Sequence, residues 1–396
     1  MTGSEGGTAA LRRPGQVPVT TMELFFDLVY VLAVTRLTDL LVENLTPAGA
    51  VQALILLLPV WWAWTDTSWI TNWFDPNRPE VRLMLLGLTL LSLVFSATLS
   101  DAFGPRGLWV GAAYATMQVG RTVFAVAMLG GEPALRRNFQ RVLAWKATAG
   151  TLWVVGGLAH DEARIAIWVA AVAIEYVAAA LGFYTPGLGR STTEDWPIEG
   201  RHLAERHQFF ILVALGESIL ITGTVFGRSP PDLARLAALV CAFATTAALW
   251  WSYFDRSAPL AGERIARVSD PGRRGRAAYT YWHLPMVAGI ILTAVGDELV
   301  LGHPSGPTRW GMVITLLGGP ALFLAGHTLF KLAIFDHLST PRLAAIAALA
   351  ALVPVGRLIP PLALSAASAL VLAAVPAWES ARTPRRKVEE EAERGT

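Results

Sequence analysis

A single cysteine, Cys241, stands in a chain of 396 residues. Having no partner, it forms no intramolecular disulfide and builds no thiolate metal cluster. Its place in an apolar run marks it as a small buried hydrophobe. Charge is scarce as well: Asp, Glu, Lys and Arg supply 16% of the residues against 54% hydrophobic, far from the balance of a soluble globular chain. The net charge is only +2, so nucleic-acid binding is not implied. No phosphate-cradling glycine loop, Walker motif or dinucleotide fingerprint occurs, which removes ATP coupling within the chain, and no cofactor is expected. Residues 1–21 hold no apolar stretch before Thr20. No cleavable signal peptide is expected there, and the first hydrophobic segment is expected to serve as its own insertion signal.

What is present is apolar and long. Runs of about 20 residues, the length that crosses a hydrocarbon core, cover 22–43, 48–72, 80–102, 107–130, 138–159, 162–185, 202–227, 232–254, 277–301, 309–335, 341–354 and 358–378. They predict an all-α polytopic transmembrane bundle of about twelve helices in the lipid bilayer. The eleventh is short, and Pro354 ends it.

Basic residues orient the bundle. If all twelve runs span, and basic residues near run ends such as Arg206 are counted with the adjoining loops, 22 of the 32 arginines and lysines fall on one side and six on the other, while Arg36, Arg121, Lys146 and Lys331 lie farther inside their runs. The richer side is the cytoplasmic one, so both termini are expected there, with the protein in the cell membrane. The loop from Arg256 to Arg276 and the tail Arg385-Arg386-Lys387 would then meet anionic lipid headgroups. The final acidic run, Glu389 to Glu393, reads as a solvated end.

Three short matches pair helix n with helix n+6. Phe25-Phe26-Asp27-Leu28-Val29 resembles Phe209-Phe210-Ile211-Leu212-Val213, Gly120-Arg121-Thr122 resembles Gly326-His327-Thr328, and Ser100-Asp101 resembles Gly296-Asp297. They favour a six-plus-six parallel duplication. It divides the chain into an N-terminal tail (1–21), a first half (22–185), a cytoplasmic linker (186–201), a second half (202–378) and a charged tail (379–396).

Ionisable residues at membrane depth are costly, so they point to function. Glu23 and Asp27 are four apart, on one helix face; a shared proton between them, or pairing of Asp27 with Arg121 or Lys331, would each relieve the charge. Arg36 and Asp39 suit an intrahelical pair near the surface. Glu175 and Glu217 lie deep in their runs. Arg206 shares a face with Glu217, and Gly216 would let another backbone come close at that depth. The candidates for proton or substrate handling are therefore Glu23, Asp27, Glu175, Glu217, His207 and His283, with Arg121, Lys146, Arg206, His327 and Lys331 as charge partners. His207, His283, His327 and Glu217 lack the i, i+3 or i, i+4 spacing of a helical ligand pair, and no metal is expected. Ser218 in a transmembrane helix suits a bond to a backbone carbonyl better than a nucleophile's role, so no catalytic residue is assigned. Trp61 and Trp64 suit packing against neighbouring helices, or else a pocket for an apolar or cationic ligand.

Thr21 to Val31, with Glu205-Arg206-His207, Ala214-Leu215-Gly216-Glu217-Ser218-Ile219-Leu220 and Tyr279-Thr280-Tyr281-Trp282-His283-Leu284-Pro285, resembles the bacterial low temperature requirement A family. That resemblance covers about 15–380 and implies an integral membrane protein connected with growth in the cold. Two functions remain open. One is a secondary transporter or permease for an ion or small molecule, its carboxylates handling protons or the solute. The other is a non-transporting membrane protein, a lipid-modifying enzyme or a sensor, whose charged core is structural. Unwound helix segments lining a cavity at Pro285, Pro320, Pro354, Pro360 or Pro361 would favour transport.

Overall fold

A computed structural model of the chain describes residues 11–12, 18–192, 195–196, 198–230, 232–255, 257–265 and 271–394. Some sequence-stretch expectations fall elsewhere: Arg13, Arg256 and Arg267, and the side chains of the basic tail and of the acidic run from Glu389, lie outside the described residues. The fold is all-helical. Among the described residues the extended pairings are two isolated bridges, Leu11 with Phe74 and Thr185 with Gly189.

The helices are α1 (Thr21–Glu43), α2 (Pro47–Trp73), α3 (Pro79–Thr98), α4 (Gly107–Met128), α5 (Pro133–Leu158), α6 (Asp161–Ala180), α7 (Gly200–Arg228), α8 (Leu233–Phe254), α9 (Ser257–Ile265), α10 (Pro271–Gly275), α11 (His283–Gly302), α12 (Trp310–Val313), α13 (Gly319–Phe335), α14 (Thr340–Leu352) and α15 (Pro361–Arg394). Their starts follow from local chemistry. Thr20 and Glu23 form a capping box that opens α1, each side chain satisfying a backbone N–H of the other. Proline occupies the first turn of α2, α3, α5 and α14, where its missing N–H costs nothing. Asp232 caps α8 by accepting from the Arg235 N–H at 2.7 Å. That bond also holds its exposed carboxyl below the ordinary aspartate range.

Among the described residues, eight helical stretches are long and apolar enough to cross a membrane: Pro47–Trp73, Pro79–Asp101, Asp161–Ala180, Gly200–Arg228, Leu233–Phe254, Gly272–Gly302, Trp310–Phe335 and Pro361–Ala381. The expected twelve is therefore not met by length and apolarity alone. α14 is too short. α1, α4 and α5 are long enough but carry Glu23, Asp27, Arg36 and Asp39, then Gln118 and Arg121, then Arg141 and Lys146. The residues that build the polar interior are those that lower apolarity.

The pattern of exposure is that of a membrane protein. Leu28, Leu83, Leu90 and Phe243 are 62%, 69%, 63% and 62% exposed, while Glu23, Arg206 and His207 are at 0%. Outward apolar and inward charged side chains are stable when the surroundings are hydrocarbon.

Two compact units divide the chain: Met1–Val213 with Gly262–Arg276, and Ala214–Ala261 with Ala277–Thr396. The division runs through α7 rather than through the 186–201 linker. In the first unit α1 packs on α2 and α3, α3 on α4, α4 on α5, and α5 on α6. In the second α11 packs on α13, α13 on α14, α14 on α15, and α15 on α8.

Pro285 and Pro320 accompany widened rather than unwound helix, while Pro354 and Pro360 lie in the turn between α14 and α15 and Pro361 opens α15. π-helical segments Arg276–Tyr281 and Ile314–Gly318 directly precede the turns containing Pro285 and Pro320. A proline ring clashes with the carbonyl four residues back, here Tyr281 and Leu316, and the extra residue in a π turn relieves the clash. The Leu316 carbonyl accepts the Ser368 hydroxyl at 2.8 Å.

α11 and α13 touch through glycine. A Cβ on Gly289 would lie 2.5 Å from the Phe323 nitrogen, and one on Gly319 would lie 2.6 Å from the Thr293 nitrogen. Gly216 does not play the part expected of it, since a Cβ there meets nothing within 4 Å. Gly289→Val is therefore expected to cost about 3 kcal/mol, because backbone must move, whereas Gly216→Ala is neutral or stabilising by up to about 1 kcal/mol. Thermal unfolding of the two variants in detergent checks the contrast.

Candidate functional site

α1 turns its carboxylates inward because of helix periodicity. Glu23, Phe26, Asp27, Tyr30, Ala33, Val34, Leu37, Thr38 and Leu41 form its buried stripe, spaced three and four apart. Asp27 receives both terminal nitrogens of Arg206 from α7, Nη1 at 2.6 Å and Nη2 at 2.8 Å. This bidentate fork matches guanidinium to carboxylate. The Trp64 indole N–H of α2 donates to Asp27 Oδ1 at 2.7 Å. Arg206 also stands 3.8 Å from Glu23. Glu23 lies 2.8 Å from His202 Nε2 and 3.0 Å from Arg12, whose guanidinium also donates to the Thr71 carbonyl at 2.6 Å. Each carboxylate thus has its own cation, and a shared proton is unnecessary. The base for Asp27 is Arg206 rather than Arg121 or Lys331.

The start of α7 is locked to α2. Asn72 donates to the Glu199 carbonyl at 2.9 Å and sits 3.1 Å from His202 Nδ1, while the Val19 N–H donates to Glu205 at 3.1 Å. His207 donates from Nδ1 to the Leu203 carbonyl at 2.8 Å and presents its ring edge to Trp64 and Trp61 at centroid distances of 4.8 and 5.9 Å. The two tryptophans thus pack, and Trp64 also bonds.

A second cluster joins α2, α4, α5 and α6. Lys146 bridges two carboxylates, Asp66 at 2.6 Å and Glu175 at 3.0 Å. Arg121 donates to Asp66 at 2.9 Å, to Thr67 Oγ1 at 2.9 Å and to the Ala63 carbonyl at 3.1 Å, and also to Gln118. Glu175 further accepts from the Tyr114 hydroxyl at 2.8 Å and from Gln118 at 3.2 Å. Asp66 is the open member: its side chain is 24% exposed, against 2–3% for Arg121, Lys146 and Glu175.

The other candidates lie in the second unit and do not form one constellation. Glu217 is buried. His283 donates from Nδ1 to the Ala278 carbonyl at 2.9 Å, which leaves Nε2 to accept the Tyr253 hydroxyl at 2.8 Å. His327 packs its ring on Tyr253, Phe323 and Phe330 and neutralises no carboxylate. Lys331 lies 3.4 Å from Glu379, to which Arg342 donates at 2.5 Å and Ser339 at 3.0 Å.

Matches along the chain cover nearly all of it. The family described as bacterial low temperature requirement A protein (LtrA) matches residues 18–377. The chain belongs to the LtrA family. An uncharacterized protein of Rhizobium meliloti (strain 1021) is 34% identical over 379 residues, 95% of this chain and 93% of that protein. No solved structure matches. In this LtrA chain two of the segments that carry the family likeness meet, Glu23 and Asp27 of the first pairing with Arg206 of Glu205-Arg206-His207.

Asp66, Tyr114, Gln118, His202, Arg12 and Glu379 were not among the sequence-derived candidates. Thr20 and Glu23 had the spacing of a capping box, a legible signal. Asp66 had another: it is an acid within an apolar run.

Proposed function

We propose that the chain is a multi-pass permease of the cytoplasmic membrane, with both termini in the cytoplasm, in which the Asp66–Lys146–Glu175 cluster handles a proton or a small charged solute. α1, α4, α5 and α14 join the eight apolar stretches in this reading to give twelve spans. The arginine and lysine bias supports the orientation. A six-plus-six duplication is supported by the short sequence matches and by the succession of packed neighbours: α3–α4–α5–α6 in one unit, α11–α13–α14–α15 in the other. The cytoplasmic basic loops take anionic lipid headgroups, and the link to growth in the cold comes from the family likeness.

The observation that carries the reading is one cation with two alternative carboxylates, one buried and one part-exposed. Lys146 can remain charge-paired while either acid is protonated or engages a solute. Such a cluster changes state without leaving a bare charge. The π-helical turns at Arg276–Tyr281 and Ile314–Gly318 also support movement, because such widenings occur often at working sites. A second reading, a charged core that serves packing alone, is favoured by the mutual pairing of Glu23, Asp27 and Arg206.

Uptake into proteoliposomes under an imposed pH gradient, across a panel of small metabolites, separates the two. Gradient-dependent accumulation that Asp66→Asn abolishes supports the permease. Folded protein that accumulates nothing across the panel leaves the packing reading.

A further inference from the structure

The buried carboxylates Glu23, Asp27 and Glu175 each have a base within 3.0 Å. Asp297 of α11 has none. It is 2% exposed, its Oδ2 has no hydrogen-bond partner, and no ion pair reaches it among the described residues. It lies near the C-terminal end of the Gly272–Gly302 span.

Among the described residues, the elements packed on α11 place no cation in an ion pair with Asp297. α8, which packs on α11, carries Cys241 as a part-buried thiol. The π-helical segment passes beside Gly296, whose Cβ would lie 3.1 Å from Thr315 Oγ1 and 3.1 Å from the Leu316 nitrogen. The Thr315 hydroxyl is already donated to the Gly311 carbonyl at 2.9 Å, and the Ser368 hydroxyl of α15 to the Leu316 carbonyl at 2.8 Å. On α11 itself, Glu298 follows in sequence and is also an acid. Among the described residues no basic side chain of α8, α13 or α15 bonds to the buried Asp297 Oδ2.

A carboxyl group in such a setting is stable as the neutral acid, and ionised it would hold a buried charge without a partner. We propose that Asp297 is a proton-binding site of the second unit, protonated at rest and able to exchange its proton with the medium. This goes beyond the permease reading and holds whether or not the chain moves a solute. The bond made and broken is the carboxyl O–H, the proton passing to water.

Dicyclohexylcarbodiimide tests it on the full chain in detergent. The reagent adds a protonated carboxyl across one C=N bond and rearranges to a stable N-acylurea with no leaving group, and peptide mass spectrometry places the adduct. Asp297 is expected to be labelled in mildly acid buffer, with labelling falling at least about tenfold in mildly alkaline buffer. Labelling that is absent in acid, equal in both buffers, or lost on adding Na+ at fixed pH overturns the proposal; the last would make it a metal-cation site.

Asp297→Asn gives a second readout, since the amide keeps the volume of the neutral acid. A site protonated in the native state and ionised in the unfolded chain makes stability fall as pH rises. The variant is expected to fold and to show a smaller fall in Tm between the two buffers than the wild type. An unchanged fall would overturn the proposal. Neither measurement depends on proteoliposome uptake, so failure of the permease reading is seen separately.

Discussion

Arg206→Met is expected to lower stability by about 3–5 kcal/mol, because it strips a buried carboxylate of its cation. Asp27 would lose both guanidinium bonds and keep the Trp64 indole, while Glu23 would keep Arg12 and His202. Thermal unfolding in detergent and protein yield should fall together. The companion Asp27→Asn with Arg206→Met removes one charge of each sign and leaves no uncompensated ion at the pair. It should recover most of the loss, so the two sites couple strongly in a double-mutant cycle. An Arg206→Met protein as stable as the wild type would mean that α1 does not depend on this pair.

Lys146→Met should have a comparable effect on stability and a larger one on function. Asp66 would retain Arg121, but Glu175 would keep only neutral donors, Tyr114, Gln118 and the Trp153 indole at 3.4 Å. A cost of about 3–5 kcal/mol follows from the uncompensated buried charge. Pairing the change with Glu175→Gln removes that charge. The double variant is expected to regain stability while uptake stays at background, because the shared cation is gone. Recovery of both stability and uptake would show that the cluster serves packing alone.

The two clusters differ in how they would fail. The Arg206 site is closed: Glu23, Arg206 and His202 are at 0% exposure, so damage there shows first as instability. The Lys146 site has Asp66 as its opening, and damage there can be separated into stability and activity. That difference makes Asp66→Asn the more informative single change in a transport assay.

Several features were legible in the residues. The apolar runs coincide with helices because backbone groups in hydrocarbon must bond within their own segment. Glu23 and Asp27 were placed on one face, and the face proved to be the buried one, because the helix repeat sets direction and burial of the costly charge selects the side. Arg206 was legible as a candidate partner, yet the positive-inside count placed it with the loop residues facing solvent. It is fully buried instead. A basic residue at the end of a run looks the same in sequence whether it turns out to water or in to an acid.

Partner choice was not legible. Asp27 and Arg206 are 179 positions apart, and Gln118 and Arg121 reach Asp66 across 52 and 55. Asp66 sits among tryptophans and threonines with no local base. The eight apolar stretches fall short of the expected twelve in part because α1 and α5 carry charged residues, among them Asp27 and Lys146, which pair with other helices. The Gly216 expectation failed because a small residue permits close packing but does not require it; Gly289 and Gly319 are where helices approach.

By itself the sequence determined the helical class, the family, the helix starts and which face of α1 carries its acids, all of which depend on residues within one or two turns of each other. The tertiary structure decided which base meets which acid, that Lys146 serves two carboxylates, and that Asp297 meets no base among the described residues. Those outcomes depend on how helices distant in sequence are brought together, and charge pairing acts over a few ångströms of space whatever the distance along the chain.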